Sequence, residues 1–461
     1  MKEILRKVEE INAANKAGKR KLVLEYMKDA SFNRFMHFCL DDSLTFNVKR
    51  VELTTPIEGD FYDLLDVLNA QGSATKLQKE QLAALGSQSP EHLEVLNKIL
   101  RKNPDCGFSA KSMHAILPGE IGYWPYQRCS GFEELDRIFA TPVIDGGAWI
   151  SDKKEDGMFV RVKTPQGSAP MFETRNGKPL LFGGYFNKIF LDMDPGILDV
   201  DGVDYEIFES GTVFEGEGLV LNEAGTDFLP RKDGNAIIVK FLGGYGSREE
   251  IERIRFSFWN VLPLSDYNDG YSPLTLWRRR ECVAQLIEYT DTRVIKQTET
   301  RSVFSKEEAW DHYYEVRARP VPEGYGQLEG TICKHPDEIY QDGTSLLMAK
   351  CKSVREFEGE IIGWEPGKPG GKYENKIGSF IIKSSCGGLV GKCSGMTDSI
   401  RDMDPEEAVG QICTIKFNAV SNSKDRSKPR SLDHSRFVEF RPDKNIADDL
   451  EYILKVKSKK R

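Results

Sequence analysis

The sequence contains no apolar run long enough to span a bilayer. Its opening, Met1-Lys2-Glu3-Ile4, does not start a secretory leader. These two absences set the expectation of a protein with no membrane partner, working in the cytoplasm. Pairing signals for cysteine are missing as well. The nine cysteines (Cys39, Cys106, Cys129, Cys282, Cys333, Cys351, Cys386, Cys393 and Cys413) never fall at Cys-x-x-Cys spacing. An odd, scattered set argues against a zinc module and for a reducing compartment. A positive balance is also lacking, since the formal net charge is −8. Any grip on phosphate must therefore come from local patches rather than from the total. Internal repeats and low-complexity segments are absent.

What is present is length and ordinary globular composition. The chain has 461 residues, 39% of them hydrophobic and 30% charged. That is too long for one core and suggests about three domains. Residues 1–129 read as helical. Ile4, Val8 and Ile11 recur at helix spacing, as do Leu93, Leu96 and Leu100 behind the N-cap signal Ser89-Pro90. Residues 130–352 read as mixed α and β. Short alternating runs such as Phe159-Val160-Arg161-Val162 and Ile237-Ile238-Val239 predict strands, and helices are expected near Leu276–Tyr289 and Lys306–Tyr314. Residues 353–461 return to short strands around Glu360–Gly363, Ser379–Ile382 and Ile412–Ile415. Glycine-rich loops such as Gly367–Gly371 separate them, and a small five-stranded barrel fits that spacing. Two basic stretches stand out, Lys424–Arg430 and the tail Lys455–Arg461. Such stretches are often only solvated.

The residues with the most chemical information form an ordered series. Lys154 stands in Lys154-Glu155-Asp156-Gly157, and Arg175 in Thr174-Arg175-Asn176-Gly177. Glu217 follows in Glu215-Gly216-Glu217, and Trp259 ends Arg255-Phe256-Ser257-Phe258-Trp259. Then come Glu329-Gly330 with Lys334, the pair Lys350 and Lys352, and Arg441-Pro442-Asp443-Lys444. A lysine with its usual pKa near ~10.4 cannot attack phosphorus until neighbouring cations or desolvation free its lone pair. Lys350 and Lys352 alternate on one strand face, so both can reach the same phosphate. Glu217 and Glu329 are candidate Mg²⁺ carboxylates, because that ion takes oxygen ligands and one or two carboxylates suffice. Trp259 is a candidate platform for a purine. Taken singly, each is most simply a surface lysine, a strand-end glutamate or a core aromatic. Only the series carries weight.

That series resembles the nucleotidyltransferase motifs of ATP-dependent DNA ligases, with the T-even phage ligases as the nearest group. The resemblance runs over nearly the whole chain. It implies a multidomain α+β protein: an N-terminal all-α DNA-binding domain, a central α+β nucleotidyltransferase (adenylation) domain and a C-terminal OB-fold β-barrel. It implies that Lys154 takes AMP from ATP, and that Asp152 reads the adenine edge. Arg175 would contact ribose and nucleic-acid phosphate, and Glu217 ribose or metal. Trp259 would sandwich the adenine. Glu329 would be a second metal carboxylate, and Lys350 and Lys352 phosphate ligands. Arg441 and Lys444 would orient pyrophosphate. Arg231, Asn235 and Lys240 keep the R-x-x-x-N-x-x-x-x-K spacing of a DNA-contacting segment. Asp105–Ser109 and Leu117-Pro118-Gly119 resemble the end of the helical DNA-binding domain.

The implied cofactors are ATP and Mg²⁺, and the implied partner is nicked double-stranded DNA, bound by a monomer. In a phage, the place of work is the host cytoplasm. The sequence departs from the family in three places. Phe159 replaces a usual arginine, with Arg161 two residues on as the candidate substitute. Glu215 replaces the aspartate of Asp-Gly-Glu, and Asn260 stands where aspartate is common. Alternatives share the lysine chemistry: an RNA ligase, a capping guanylyltransferase, or a nick-binding scaffold that has lost catalysis. The helical N-terminal region disfavours the first two. NAD⁺ is disfavoured as donor, because the four-cysteine zinc module of NAD⁺ ligases is missing.

Overall fold

The structure is a computed structural model. It describes residues 1–461 except 73, 145–146, 289, 291–292, 322–327, 353–354, 369–371, 418, 422–427 and 456–461. The side chains of residues 352, 355, 419, 421, 433 and 455 also lie outside the description. The chain divides into two compact units, Met1–Cys351 and Lys352–Arg461.

The first unit opens with helices Lys2–Ala13, Lys16–Tyr26, Ala30–Leu40, Phe61–Gln71, Lys76–Gly86 and Pro90–Leu100, then the short Ala110–His114. Helices this short are marginal alone, so caps and a shared core must support them. The side chains of Asn15, Asp29, Asp60 and Ser89 accept first-turn N–H groups, and Thr75 forms a capping box with Gln78. Each such cap is worth about 1 kcal/mol. Ile4, Val8, Ile11, Leu96 and Leu100 are buried in one core with Phe32, Phe35 and Leu65. The helix spacing read in the sequence is therefore the core face of these helices.

Two five-stranded sheets follow. The first runs Gln127–Gly131, Gly343–Lys352, Gly330–Lys334, Trp149–Lys154, Thr300–Val303. The second runs Met171–Glu173, Met158–Pro165, Gly211–Val220, Ile254–Pro263, Ile295–Gln297. In the second sheet, Val160, Val162, Phe214, Phe256 and Phe258 pack into an aromatic core with Phe172, Phe182 and Phe186. Strand side chains alternate between faces. Phe159 and Arg161 therefore point the other way. The helices Leu276–Glu288 and Lys306–Ala318 lie where the sequence placed them.

One expectation fails. Ile237-Ile238-Val239 is not a strand; it lies in the helix Arg231–Lys240, whose buried residues are Gly234 and Ile238. Three adjacent apolar residues fit either period, and here only the middle one is turned fully inward.

The second unit holds a five-stranded sheet ordered Val390–Cys393, Ile377–Lys383, Arg355–Pro366, Ile412–Phe417, Arg436–Phe440. The strands expected around Glu360, Ser379 and Ile412 are all present. The chains at its two ends meet: Ser394 bridges Arg436 in parallel, and the Phe437 N–H donates to the Ser394 carbonyl at 2.8 Å. Phe357, Ile361, Phe380, Ile382, Ile415 and Phe437 fill the interior. The first four residues of the basic stretch Lys424–Arg430, the tail beyond Lys455 and most of the Gly367–Gly371 loop lie outside the described residues.

Candidate active site

Lys154 ends the strand Trp149–Lys154, opposite Gly330 of the strand Gly330–Lys334. Gly330 has φ +137°, and a Cβ there would lie 2.3 Å from the Cys351 carbonyl oxygen. Only glycine allows that approach, and it seats Glu329 beside Lys154. The two side chains form an ion pair. Gly157 meets a similar constraint. A Cβ would sit 2.2 Å from the Gly218 oxygen and 2.9 Å from Glu217 Cγ. The glycine of Lys154-Glu155-Asp156-Gly157 thus brings the lysine turn down onto the Glu217 strand.

Three carboxyl groups crowd this corner. Burial, aided by Glu329, pushes the Glu217 carboxyl up to about 7 against the pull of Lys154, Arg175 and Arg231. Burial and Glu329 likewise raise Asp156, whose Oδ1 lies 3.4 Å from Arg231 Nη1. Such under-compensated acids suit a cation delivered with a ligand. Among the described residues, no group of three or more His, Cys, Asp and Glu forms a self-contained metal site. One or two carboxylates are what Mg²⁺ takes when phosphate and water supply the remaining ligands. Glu217 and Glu329 fit that donor set.

Glu217 lines a cleft of about 820 Å³. Phe159, Arg175, Arg231 and Asn235 line it too, and Ser43, Thr45, Asn47 and Asn69 of the helical region form part of its wall. Gly177, at φ +74°, lies under the Trp124 ring, where a Cβ would meet an indole carbon at 1.8 Å. That contact shapes the turn bearing Arg175. Trp259 is partly exposed, with its ring 6.1 Å from that of Phe159. In the first sheet, Lys334, Lys350 and Lys154 all act on the Cys129 thiol, which burial pushes up against their pull. The two strand lysines thus share the neighbourhood of Lys154. Lys352 ends its strand, and its side chain lies outside the described residues.

Other expected residues have different surroundings. Asp152 is buried and bound by Arg280 at 2.8 Å, Lys334 at 2.6 Å and the Thr300 hydroxyl at 2.6 Å. Burial would raise its carboxyl, but Arg280 and Lys334 hold it below the usual range. Lys240 pairs with Glu250. Its helix turns about 100° per residue, so Asn235 shares a face with Arg231 while Lys240 lies half a turn away. Arg441 and Lys444 belong to the second unit. Arg441 grips Asp443 through two bonds of 2.9 and 2.7 Å and also contacts Glu358; Lys444 lies 3.6 Å from Glu358.

No protein-family profile matches the chain. Curated relatives do. The DNA ligase of Enterobacteria phage T4 is 23% identical, with 95% of this chain and 88% of that protein covered. The DNA ligase of Enterobacteria phage T6 gives the same figures. The chain is related along almost its full length to these phage DNA ligases. Its fold is shared with the solved structure titled Pmar-Lig_PreS3, at TM-score 0.67 and 20% identity over 95% of this chain and 99% of that one.

The departures read from the sequence now have a place. Arg161 is fully buried. It donates to Glu173 at 3.0 Å, to the Pro125 carbonyl at 3.0 Å and to Glu215 at 3.3 Å. It is spent in these buried pairs and is no substitute for the arginine that Phe159 displaces. The Asn260 amide donates to Glu215 at 3.1 Å, and its oxygen accepts from the buried Arg279. Glu215 and Asn260, the two other departures, are therefore partners of each other. Sequence reasoning missed Tyr126, Trp124 and Arg280. None sits in a motif, and only the folded chain brings them to the site.

Proposed function

We propose that this protein is an ATP-dependent DNA ligase that seals 5′-phosphate/3′-hydroxyl nicks in duplex DNA. The observation that carries the reading is Lys154 held by Glu329 in one corner with Glu217, at the edge of a cleft lined by Arg175 and Arg231, in a chain related end to end to phage DNA ligases. Lys154 Nζ attacks as the neutral amine, so an ammonium proton must first pass to the Glu329 carboxylate beside it or to water. Nζ then bonds to the α-phosphorus of ATP as the bond to the β-phosphate oxygen breaks and pyrophosphate leaves. A 5′-phosphate oxygen at the nick next attacks the same phosphorus, which frees the lysine. The 3′-hydroxyl finally attacks the 5′-phosphate, and AMP departs. Lys350 neutralises phosphate charge, and Trp259 offers a face to adenine. Mg²⁺ held by Glu217 and Glu329 would supply charge neutralisation and alignment of the leaving group.

The same proposal covers the layout. Residues 1–129 form the DNA-binding domain, 130–352 the adenylation domain and 353–461 an OB-fold. The five-stranded sheet with meeting ends supports the last assignment. Arg441 and Lys444 would serve the adenylation step, Asp152 and Trp259 adenine recognition, and Lys352 the phosphates. Arg231 and Asn235 would contact DNA. The protein would act as a monomer in a host cytoplasm. Among the described residues no helix is long and apolar enough to cross a membrane.

Incubation with Mg²⁺ and ATP labelled on the α-phosphate tests the proposal. A covalently labelled protein, chased by nicked DNA and lost in Lys154→Ala, is the expected result. Undiminished sealing by Lys154→Ala would remove the mechanism. Labelling by GTP instead of ATP would point to a capping enzyme.

A further inference from the structure

Phe159 leaves a vacancy in the cationic machinery, and the residues around it show how the vacancy is filled. Its ring is 6% exposed and stands edge-on to Tyr126, with ring centres 5.1 Å apart. Over these two rings lies the guanidinium of Arg175, 4.5 Å from the Tyr126 centre and 5.3 Å from the Phe159 centre. Arg175 has neither a hydrogen bond nor an ion pair among the described residues, yet it is an exposed cation at the cleft. Rings held this way attract a cation and restrict its rotamers without neutralising it. The buried guanidinium of Arg161 also lies against Phe159, 5.2 Å from the ring centre. An arginine at position 159 would therefore share its surroundings with two other guanidinium groups.

We infer that Tyr126 and Phe159 form an aromatic seat that aims Arg175 at the 5′-phosphate of the nick, so that Arg175 takes over the work of the arginine absent at position 159. The inference rests on the ligase reading and adds the positioning residues for one of its phosphates. A guanidinium suits this task because its planar fork matches phosphate oxygens in pairs. The seat keeps it extended and unspent until DNA arrives. Phe159 and Tyr126 are positioning residues; neither needs to touch the DNA.

The test uses the full-length protein and two nicked duplexes that differ only in a 5′-phosphate or a 5′-hydroxyl at the nick. The readout is the ratio of their dissociation constants, together with the rate of AMP transfer from the labelled protein to the phosphorylated nick. Phe159→Leu and Tyr126→Leu should each lower the preference for the phosphorylated nick by about tenfold, the scale of a desolvated cation–π contact. AMP transfer should slow by more than self-adenylation does. Phe159→Tyr keeps a ring and should keep the preference. Phe159→Arg should lose it. A general structural defect would weaken binding to both duplexes alike and leave the ratio unchanged, and that result would overturn the inference. So would improved sealing by Phe159→Arg. Failure of the ligase reading looks different: the unmodified protein would then take no label from ATP. Should one leucine variant not fold, as judged by its melting curve, the other and Phe159→Arg still decide the matter.

Discussion

The floor beneath the cleft and the cleft itself are built from the same residue types and behave in opposite ways. In the floor, Arg161, Glu173, Glu215, Asn260 and Arg279 are buried and paired with one another, with Arg161 Nε alone among their side-chain nitrogens lacking a partner in the described residues. In the cleft Glu217 is an under-compensated acid, with Asp156 at its edge beside Arg231, and Arg175 is an unspent cation. The floor is a finished structure. The cleft is unfinished, and a ligand carrying phosphate and metal would complete it. Perturbed groups gather at functional sites for this reason. Two of the departures from the motif pattern, Glu215 and Asn260, belong to the floor and are hydrogen-bonded to each other.

The contrast breaks most sharply at Arg161. Arg161→Met should leave Glu215 buried without its cation and Glu173 with Lys163 alone, and cost about 3–5 kcal/mol of stability. Adding Glu215→Gln should recover part of that loss. Chemical denaturation of the single and double variants measures both. If Arg161→Met were as stable as the parent, the floor would not depend on the buried pairs described.

Glu217 should respond in the reverse sense. Glu217→Gln should reduce sealing by about 10²–10³, as loss of a group that stabilises transition-state charge does, while the protein stays folded. Folding raises this carboxyl to about 7, above its unfolded value near ~4.3. The folded chain therefore binds the extra proton between those values. Its contribution to stability is full below the window and is lost as pH rises through about 7. That part of the pH dependence should vanish in Glu217→Gln. Self-adenylation by the unmodified protein should rise across the same window, because a protonated carboxyl holds Mg²⁺ poorly. A pH profile identical in both proteins would remove Glu217 from the metal.

How much of this was legible in the sequence follows from what periodicity and spacing can carry. The helical region was legible because Ile4, Val8, Ile11 and the Ser89-Pro90 cap act through neighbours three or four residues away. The cluster of Lys154, Glu217 and Glu329 was legible as an ordered series, and the glycines at 157 and 330 show why the order matters. The helix at Ile237–Val239 was misread because three apolar residues are too few to separate the two periods. The fate of Arg161 was not legible at all. It depends on Glu173, Glu215 and the Pro125 carbonyl, three groups far apart in the chain that only the fold unites. The seat of Tyr126 under Arg175 was hidden for the same reason.

The smallest expected effect compares the two faces of one helix. Arg231 and Asn235 line the cleft, whereas Lys240 points away and pairs with Glu250. A phosphate contact releases condensed counterions, so each one adds roughly one to the slope of log affinity against log salt. Arg231→Ala should weaken binding of nicked DNA uniformly across sequences and flatten that slope by about one. Lys240→Ala should leave the slope where it was and cost less than about 1 kcal/mol of stability, as exposed ion pairs do. Equal changes in slope for the two variants would mean that the helix binds DNA through a wider face than the cleft offers, with Lys240 leaving Glu250 for a phosphate.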